Sequence, residues 1–328
     1  TLLEKGHELV THENPDDVDQ TVYVPVIHTQ AAGASSEQIA LAGSDTTLTD
    51  TVHYEGLLPK TTYTATATLH RATSAPLGGP IDSGTVGSPI TVSFTTPAAA
   101  DGEGSVSGDV EVPITAYLAD NAGDKLVVYE EVAHEDGTVI ATHTDLNAES
   151  QTVQFPDVHT ELTAEDGSHK VDNAERFTLT DTVTYTNLIP GLEYQLTGTL
   201  HLVKKDGTDG GQVTTAKTSF TPEEADGTAT VTFEVDAGSL DLKDCHLVAC
   251  EELSLNGDVV AQHADLTDEA QTVTVGSAPE LPSSDVLPQT SDLVLPVSFF
   301  LVAGGIAVAV SARLRARSGA PRHIRPRK

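Results

Sequence analysis

Positive charge is scarce in this 328-residue chain. Seventeen Lys and Arg stand against 49 Asp and Glu, and seven of the seventeen lie in 313–328, beyond the last acid, Asp292. The part before residue 293 is therefore strongly anionic, a field that keeps a domain soluble and repels nucleic acid and anionic surfaces. Nucleic-acid binding by this part is excluded. Cysteine is almost missing: Cys245 and Cys250 sit five apart in what reads as one strand. At roughly 3.3 Å per residue their Cα atoms would be about 16 Å apart on opposite faces, beyond disulfide reach. Both read as inert structural thiols, with Cys250 at a buried apolar position. Methionine is absent, the chain opens on Thr1, and no signal peptide is recognisable. The expectation is the C-terminal fragment of a longer secreted protein. No stretch before residue 293 has the periodicity of an amphipathic helix. No GxSxG, HExxH or Cys–His nucleophile pattern is present, which argues against a surface hydrolase. Acidic clusters such as KDGTDGG (205–211) lack the alternating ligand order of a calcium loop. Neither a metal nor a cofactor is expected.

What the chain has in abundance is repetition. A His is followed eight residues later by Gln-Thr-Val three times, at His12 and Gln20, His143 and Gln151, and His263 and Gln271. LTDTVHYEGLLPKTTYTATATLH at 48–70 answers LTDTVTYTNLIPGLEYQLTGTLH at 179–201, with 13 of 23 residues identical. A third shared element, KLVVYEEV at 125–132 and HLVACEEL at 246–253, lies in each copy between that block and the His–Gln pair. Each repeat is one structural unit, so any chemistry should recur once per unit. The division is a remnant at 1–25, complete repeats at 26–155 and 156–276, a Pro/Ser-rich linker at 277–292, and a C-terminal segment at 293–328.

Runs such as TVTYTNL, YQLTGTLHL, TATVTFEV and QTVTV alternate apolar with polar residues and favour Thr, Val and Tyr, the mark of a half-buried strand. Turn chemistry separates them, including IPGL, KDGTDGG and LNGDV. Short strands and turns at this spacing predict an all-β fold of tandem immunoglobulin-like β-sandwich domains, followed by one C-terminal transmembrane helix. DGEGSVSGD at 101–109 reads as a flexible loop insertion in the first complete repeat.

Five residue types hold their places in both complete repeats. Thr29 precedes Asp50, and Thr160 precedes Asp181, by 21 residues in each case. A Glu closes the apolar run (Glu130 and Glu251, each followed by a second, Glu131 or Glu252), and the His–Gln pair ends the unit. A hydroxyl, a carboxamide, an imidazole and two carboxylates form a set for acyl transfer. The Thr hydroxyl can attack the Gln carbonyl if a base takes its proton and the nitrogen leaves as ammonia. His is the natural proton carrier near neutral pH. Two carboxyl groups held close cannot both ionise, so one keeps a proton and can polarise the amide oxygen. Other recurring residues have blander readings. His28 and His159 should face away from the neighbouring Thr, and His70 and His201 read as structural. Asp145 and Asp265 either orient the His or sit solvated in a turn.

Together the DTVxY block, the apolar run ending in Glu and the His-x7-Gln spacing resemble the T-Q ester-bond domain, or VaFE repeat, of adhesins and stalk proteins on Gram-positive surfaces. The resemblance covers 26–276 as two domains, with 1–25 as the tail of a third. It implies an ester from Thr29 to Gln151 and another from Thr160 to Gln271. His143 and His263 would assist proton transfer beside the carboxyl pairs Asp50/Glu130 and Asp181/Glu251, with the choice between adjacent Glu residues open by one position. The main alternative is a pilus-type subunit stabilised by Lys–Asn isopeptide bonds. That chemistry needs a Lys at a repeated position, and Lys60 aligns with Gly191. A surface ligand-binding module is a further possibility.

The C-terminus resembles the cell-wall sorting signal of Gram-positive bacteria. Leu287-Pro288-Gln289-Thr290-Ser291 precedes an uncharged run of 18 residues at 293–310 and an Arg-rich tail from Arg313. The run is just long enough to span a bilayer, and the tail would stay cytoplasmic. The resemblance implies cleavage after Thr290 by a sortase and attachment to peptidoglycan, with Ser291 in place of the usual Gly. The protein would then sit in the cell wall, facing outward, held by a membrane only before sorting.

Overall fold

A computed structural model describes residues 2–276, apart from residues 5–6, 11–12, 15–16, 18–19, 43–44, 75–78, 118–120, 173–174 and 243–244. The sorting motif and the expected membrane span lie outside the described residues, among which no helix is long and apolar enough to cross a membrane. The fold is all-β, with short 3-10 turns as its only helical elements among the described residues. Strands β1 (Leu2–Glu4) and β2 (His7–Val10) form an antiparallel hairpin.

The first complete repeat runs through β3 (Val26–Ala32), β4 (Asp45–Leu57), β5 (Thr62–Ser74), β6 (Pro80–Thr95), β7 (Val106–Tyr117), β8 (Lys125–His134), β9 (Val139–His143) and β10 (Thr152–Gln154). The second continues with β11 (Asp157–Ala164), β12 (Lys170–Val171), β13 (Arg176–Thr186), β14 (Tyr194–Lys204), β15 (Asp209–Phe220), β16 (Gly227–Asp236), β17 (Cys245–Leu255), β18 (Asp258–His263) and β19 (Thr272–Val275). Each repeat builds two sheets. One is three-stranded, β3-β4-β7 in the first repeat and β11-β13-β16 in the second. The other is β10-β8-β5-β6 with β9 on β8, answered by β12-β19-β17-β14-β15 with β18 on β17. Residues of both sheets share one apolar cluster in each repeat, so each is a two-layer sandwich.

Period-two alternation explains the burial. On β5 the residues Tyr63, Ala65, Ala67 and Leu69 are buried while their neighbours are not. The DTVxY tyrosine has a specific partner. A Cβ at Gly108 would lie 2.6 Å from the Tyr54 hydroxyl, and one at Gly227 would lie 2.5 Å from that of Tyr185. The glycine-rich stretch expected to be a loop insertion is a turn only over 101–105: β7 starts at Val106 and takes in 106–109. Its Gly108 is there for the close approach of a tyrosine ring, which no side chain would allow. Turn glycines and their substitutes behave as expected. The aligned positions Lys60 and Gly191 are both left-handed (φ 50° and 84°), and Lys60 is exposed on its turn.

The repeats are joined by more than the chain. The segment 33–42 of the first repeat leans on the second, where Ala34 and Ile39 are buried in the second repeat's core cluster. The backbone N–H of Ala42 donates to Val259 O at 2.8 Å. Ser35 donates to Asp258 Oδ2 from both its backbone N (2.8 Å) and its Oγ (2.7 Å). Asn187 Nδ2 of the second repeat reaches back to Gly123 O at 2.5 Å.

Candidate functional site

The ladders bring the recurring residues together. In the first repeat Thr29 pairs with Val52 on β4, two residues from Asp50, and period two points Thr29 and Asp50 into the sandwich from the three-stranded sheet. Glu130 comes from the opposite sheet, where it sits between Ala67 on β5 and His143 on β9. Gln151 ends the 3-10 turn that leads into β10, the strand that closes that sheet beside β8. The second repeat repeats the registers: Thr160 with Val183, Asp181 with Leu162, and Glu251 with Gly198 and His263. Gln271 stands immediately before β19. The site thus bridges the first strand of one sheet and the last strand of the other. The Thr, Asp, Glu and Gln of both repeats are buried, and Asp50, Glu130, Gln151, Asp181, Glu251 and Gln271 are fully so.

Alternation settles which Glu faces inward. Glu130 is in phase with Val128 and Val132, while Glu131 is exposed; Glu251 is in phase with Ala249 and Leu253, while Glu252 is exposed. The same phase puts Cys250 and Tyr129 on the outer face. Cys250 is half-buried there, not in the apolar core expected for it, and burial pushes its thiol up to about 11. Cys245 is buried, and neither cysteine is bonded to the other.

In the first site Gln151 Nε2 contacts Thr29 Oγ1 and lies 3.2 Å from Asp50 Oδ1. His143 Nδ1 lies 2.5 Å from Thr29 Oγ1 on the other side. In the second, Gln271 Nε2 is 2.6 Å from Thr160 Oγ1 and 2.8 Å from Glu251 Oε2. The acids therefore line the nitrogen side of the carboxamide, whereas the oxygens Gln151 Oε1 and Gln271 Oε1 have no donor. This differs from the expectation that an acid polarises the amide oxygen.

The carboxyl pairs make sense only with a shared proton. Counted as ionised, both oxygens of Glu130 and of Asp181, with Asp50 Oδ2 and Glu251 Oε1, are buried without a partner. A protonated Glu130 can donate to Asp50, and a protonated Glu251 to Asp181, which removes those orphans. Burial, with the adjacent Asp next, raises each Glu to about 10. Burial also raises both Asp residues. One carboxyl of each pair is thus neutral at physiological pH.

The imidazoles differ between the repeats. His143 faces the Thr29 hydroxyl. His263 does not face Thr160: its Nδ1 lies 3.3 Å from Val158 O, and its Nε2 lies 3.1 Å from Asp268 Oδ2. Asp268 escaped the sequence reading. The available signal was the change from Ala148 to Asp at the fifth residue after the His. Asp145 and Asp265 cap their own turns, accepting from Asn147 N and Thr267 N at 2.9 Å each. His28 and His159 are exposed beside their buried Thr neighbours. His70 and His201 pair with Asp82 (2.8 Å) and Asp209 (3.3 Å) on the outer face. Among the described residues no group of three or more His, Cys, Asp and Glu could hold a metal ion.

No curated protein matches the chain. Among solved structures it is similar to a bacterial adhesin from Mobiluncus mulieris containing intramolecular disulfide, isopeptide, and ester bond cross-links. That match has 12% identity over 72% of this chain and 83% of that one, with a TM-score of 0.29. It is also similar to a putative β-galactosidase from Bacteroides fragilis, with 11% identity over 71% and 33% of the two chains and a TM-score of 0.26. Neither likeness bears on chemistry at such scores. The model of the T-Q ester bond containing domain matches residues 25–155 and again 156–275. Two successive matches cover most of the sequence, and the chain belongs to the family of T-Q ester bond containing domains.

Proposed function

We propose that this chain is the stalk of a wall-anchored surface adhesin whose two repeats each close an ester, Thr29 to Gln151 and Thr160 to Gln271. The observation that carries the reading is the contact of a Thr hydroxyl with a Gln carboxamide inside a buried site beside a buried carboxyl pair, present twice. Thr Oγ1 attacks Gln Cδ and its proton passes to the imidazole, which His143 is placed to accept. The tetrahedral intermediate expels the nitrogen, which takes a proton from the carboxyl pair on its own side and leaves as ammonia. The imidazole then returns its proton to the pair. One C–N bond is exchanged for one C–O bond, without cofactor, metal or oxidant, and each site reacts once. Burial afterwards shields the ester from hydrolysis.

The LPQTS motif, the uncharged run and the Arg-rich tail support anchoring by a sortase to peptidoglycan. Thr29 and Thr160 lie on the first strand of each sandwich, and Gln151 and Gln271 adjoin the last. A pull on the ends therefore loads the crosslink before the sheets, as a stalk requires. The test is intact mass. The folded chain should be lighter than its sequence by about 34 Da, roughly 17 Da of ammonia per bond. Thr160→Ala should abolish the second decrement and leave the first. A correctly folded chain at its full sequence mass would rule the esters out.

A further inference from the structure

The segment that follows β3 has two faces, and they belong to different repeats. Residues 38–40 run beside β10. The backbone N–H of Gln154 donates to Gln38 O at 2.8 Å, that of Ala40 donates to Gln154 O at 2.9 Å, and Gln38 Nε2 donates to Thr152 O at 3.0 Å. Alternation then turns neighbours opposite ways. Ala40 is buried in the first repeat's core, whereas Ala34 and the fully buried Ile39 lie in the second's, with Leu41 packed against it. Ser35 and Ser36, just after Ala34, are both left-handed (φ 51° and 63°). That conformation costs an L residue and persists where the surroundings hold it. Here the second repeat holds it: Ser35 bonds Asp258 twice, and its Oγ also lies 3.2 Å from Leu255 O.

The second repeat has the same segment with a different face. Lys170 stands opposite Thr274 in a parallel ladder, as Ile39 stands opposite Gln154. The backbone N–H of Thr274 donates to His169 O, as that of Gln154 donates to Gln38 O. Carried along this register, Ala34, Ile39 and Leu41 become Glu165, Lys170 and Asp172, all three exposed. Ala40 becomes Val171, which still packs on the core of its own repeat. The inward face is thus kept apolar, and only the outward face is exchanged, from three apolar side chains to three charged ones. We infer that Ala34, Ile39 and Leu41 are a plug that seats the first repeat in an apolar socket beside the β17–β18 hairpin of the second. Glu165, Lys170 and Asp172 make the opposite end of the second repeat a terminal cap that takes no further repeat. Charges at those positions would be buried without partners in such a socket, and the last unit of a stacked array needs a polar outer face. The plug acts whether or not the esters form. It fills out the second repeat's core from outside that repeat, so the two sandwiches should unfold as one.

The experiment is urea unfolding of the full chain, with hydrogen exchange of the amides that bond across the boundary. The wild type should unfold in one transition, with the Ser35 and Ala42 amides protected. Ile39→Lys, which writes the second repeat's residue into the first, should split the unfolding into two transitions. It should also speed exchange of both amides by about thirtyfold or more, the opening expected when a buried Ile side chain is lost. Lys170→Ile, the reverse exchange at the other end, should leave the wild-type pattern unchanged. Ser35→Ala and Asp258→Ala are milder and lie on opposite sides of the boundary. Their losses should fall short of additive, which keeps the test decisive if Ile39→Lys misfolds. One transition with protected amides in Ile39→Lys, an equal effect from Lys170→Ile, or additive losses at Ser35 and Asp258 overturn the inference. The intact mass of each variant reports the esters separately, so a failure of that reading and a failure of the plug are told apart.

Discussion

The two repeats are a matched pair with different interiors. Thr, Asp, Glu and Gln occupy the same registers in both, yet the residues around them have been exchanged. Glu130 has Ala67 beside it, while Glu251 has Gly198. The reason lies across the core, where Phe233, paired with Leu179, takes the place that Ile114 holds opposite Leu48. A Cβ on Gly198 would lie 2.6 Å from Phe233 Cζ. The carboxyl pair is thus held in place by different packing in each copy, with volume added on one sheet and removed from the other. What has to be kept is the position of the reacting groups, and the surrounding core is free to vary as long as its volume closes.

The strongest way to break the pairing is to remove one bond at a time. The Thr and Gln are 122 residues apart in the first repeat and 111 in the second. Loops of such similar length should contribute similarly, roughly 5 kcal/mol each in the chain-entropy account. Thr29→Ala and Thr160→Ala should therefore lower stability by comparable amounts in urea unfolding. A marked inequality would mean that one bond is not made.

The second test isolates the carboxyl pairs in a chain carrying both Thr→Ala changes. Glu130 and Glu251 would ionise near 4.5 when unfolded but hold a proton to about 10 in the fold. Between those limits the folded state binds more protons, so stability is full below about pH 4.5 and is lost as pH rises toward 10. The slope should reach at most about 1.4 kcal/mol per pH unit per proton. Glu130→Gln and Glu251→Gln should each flatten the profile, read from urea midpoints between about pH 5 and pH 8. A profile that both substitutions leave unchanged would place the proton elsewhere.

The smallest expected effect concerns the exchanged packing. Gly198→Ala should cost about 1–3 kcal/mol by overpacking. Phe233→Ile, which restores the first repeat's arrangement, should recover most of it in a double-mutant cycle. Additive losses would show that the two positions are independent.

Much of this was readable in the residues. Strand alternation, hairpin turns and the duplicated blocks carry the all-β fold and the gathering of Thr29, Asp50, Glu130, His143 and Gln151, because these depend on period two and on spacing. The choice between Glu130 and Glu131 was readable as well, since only Glu130 shares the phase of Val128 and Val132. The failures have physical causes. Gly108 looked like flexibility because composition does not reveal a tyrosine ring lying over it from β4. Cys250 looked apolar because its counterpart is Tyr129, which is itself on the outer face, stacked on His70 at 4.1 Å. Asp268 and the burial of Ile39 in the next repeat's core depend on reach across turns and domains, which no local pattern encodes.

The short interval between Gln151 and Thr160 has a consequence for length. With both esters closed, the continuous covalent route through the molecule enters at Thr29, crosses to Gln151, runs nine residues to Thr160 and crosses again to Gln271. The 122 and 111 residues spanned by the bonds hang from that route as closed side loops. Stretched out, each would otherwise release on the order of 400 Å of contour. A pull that melted both sandwiches would still find only a short tether to extend. A chain crosslinked in this way transmits the displacement of its end instead of absorbing it as slack, and it returns to register without having to find its ends again.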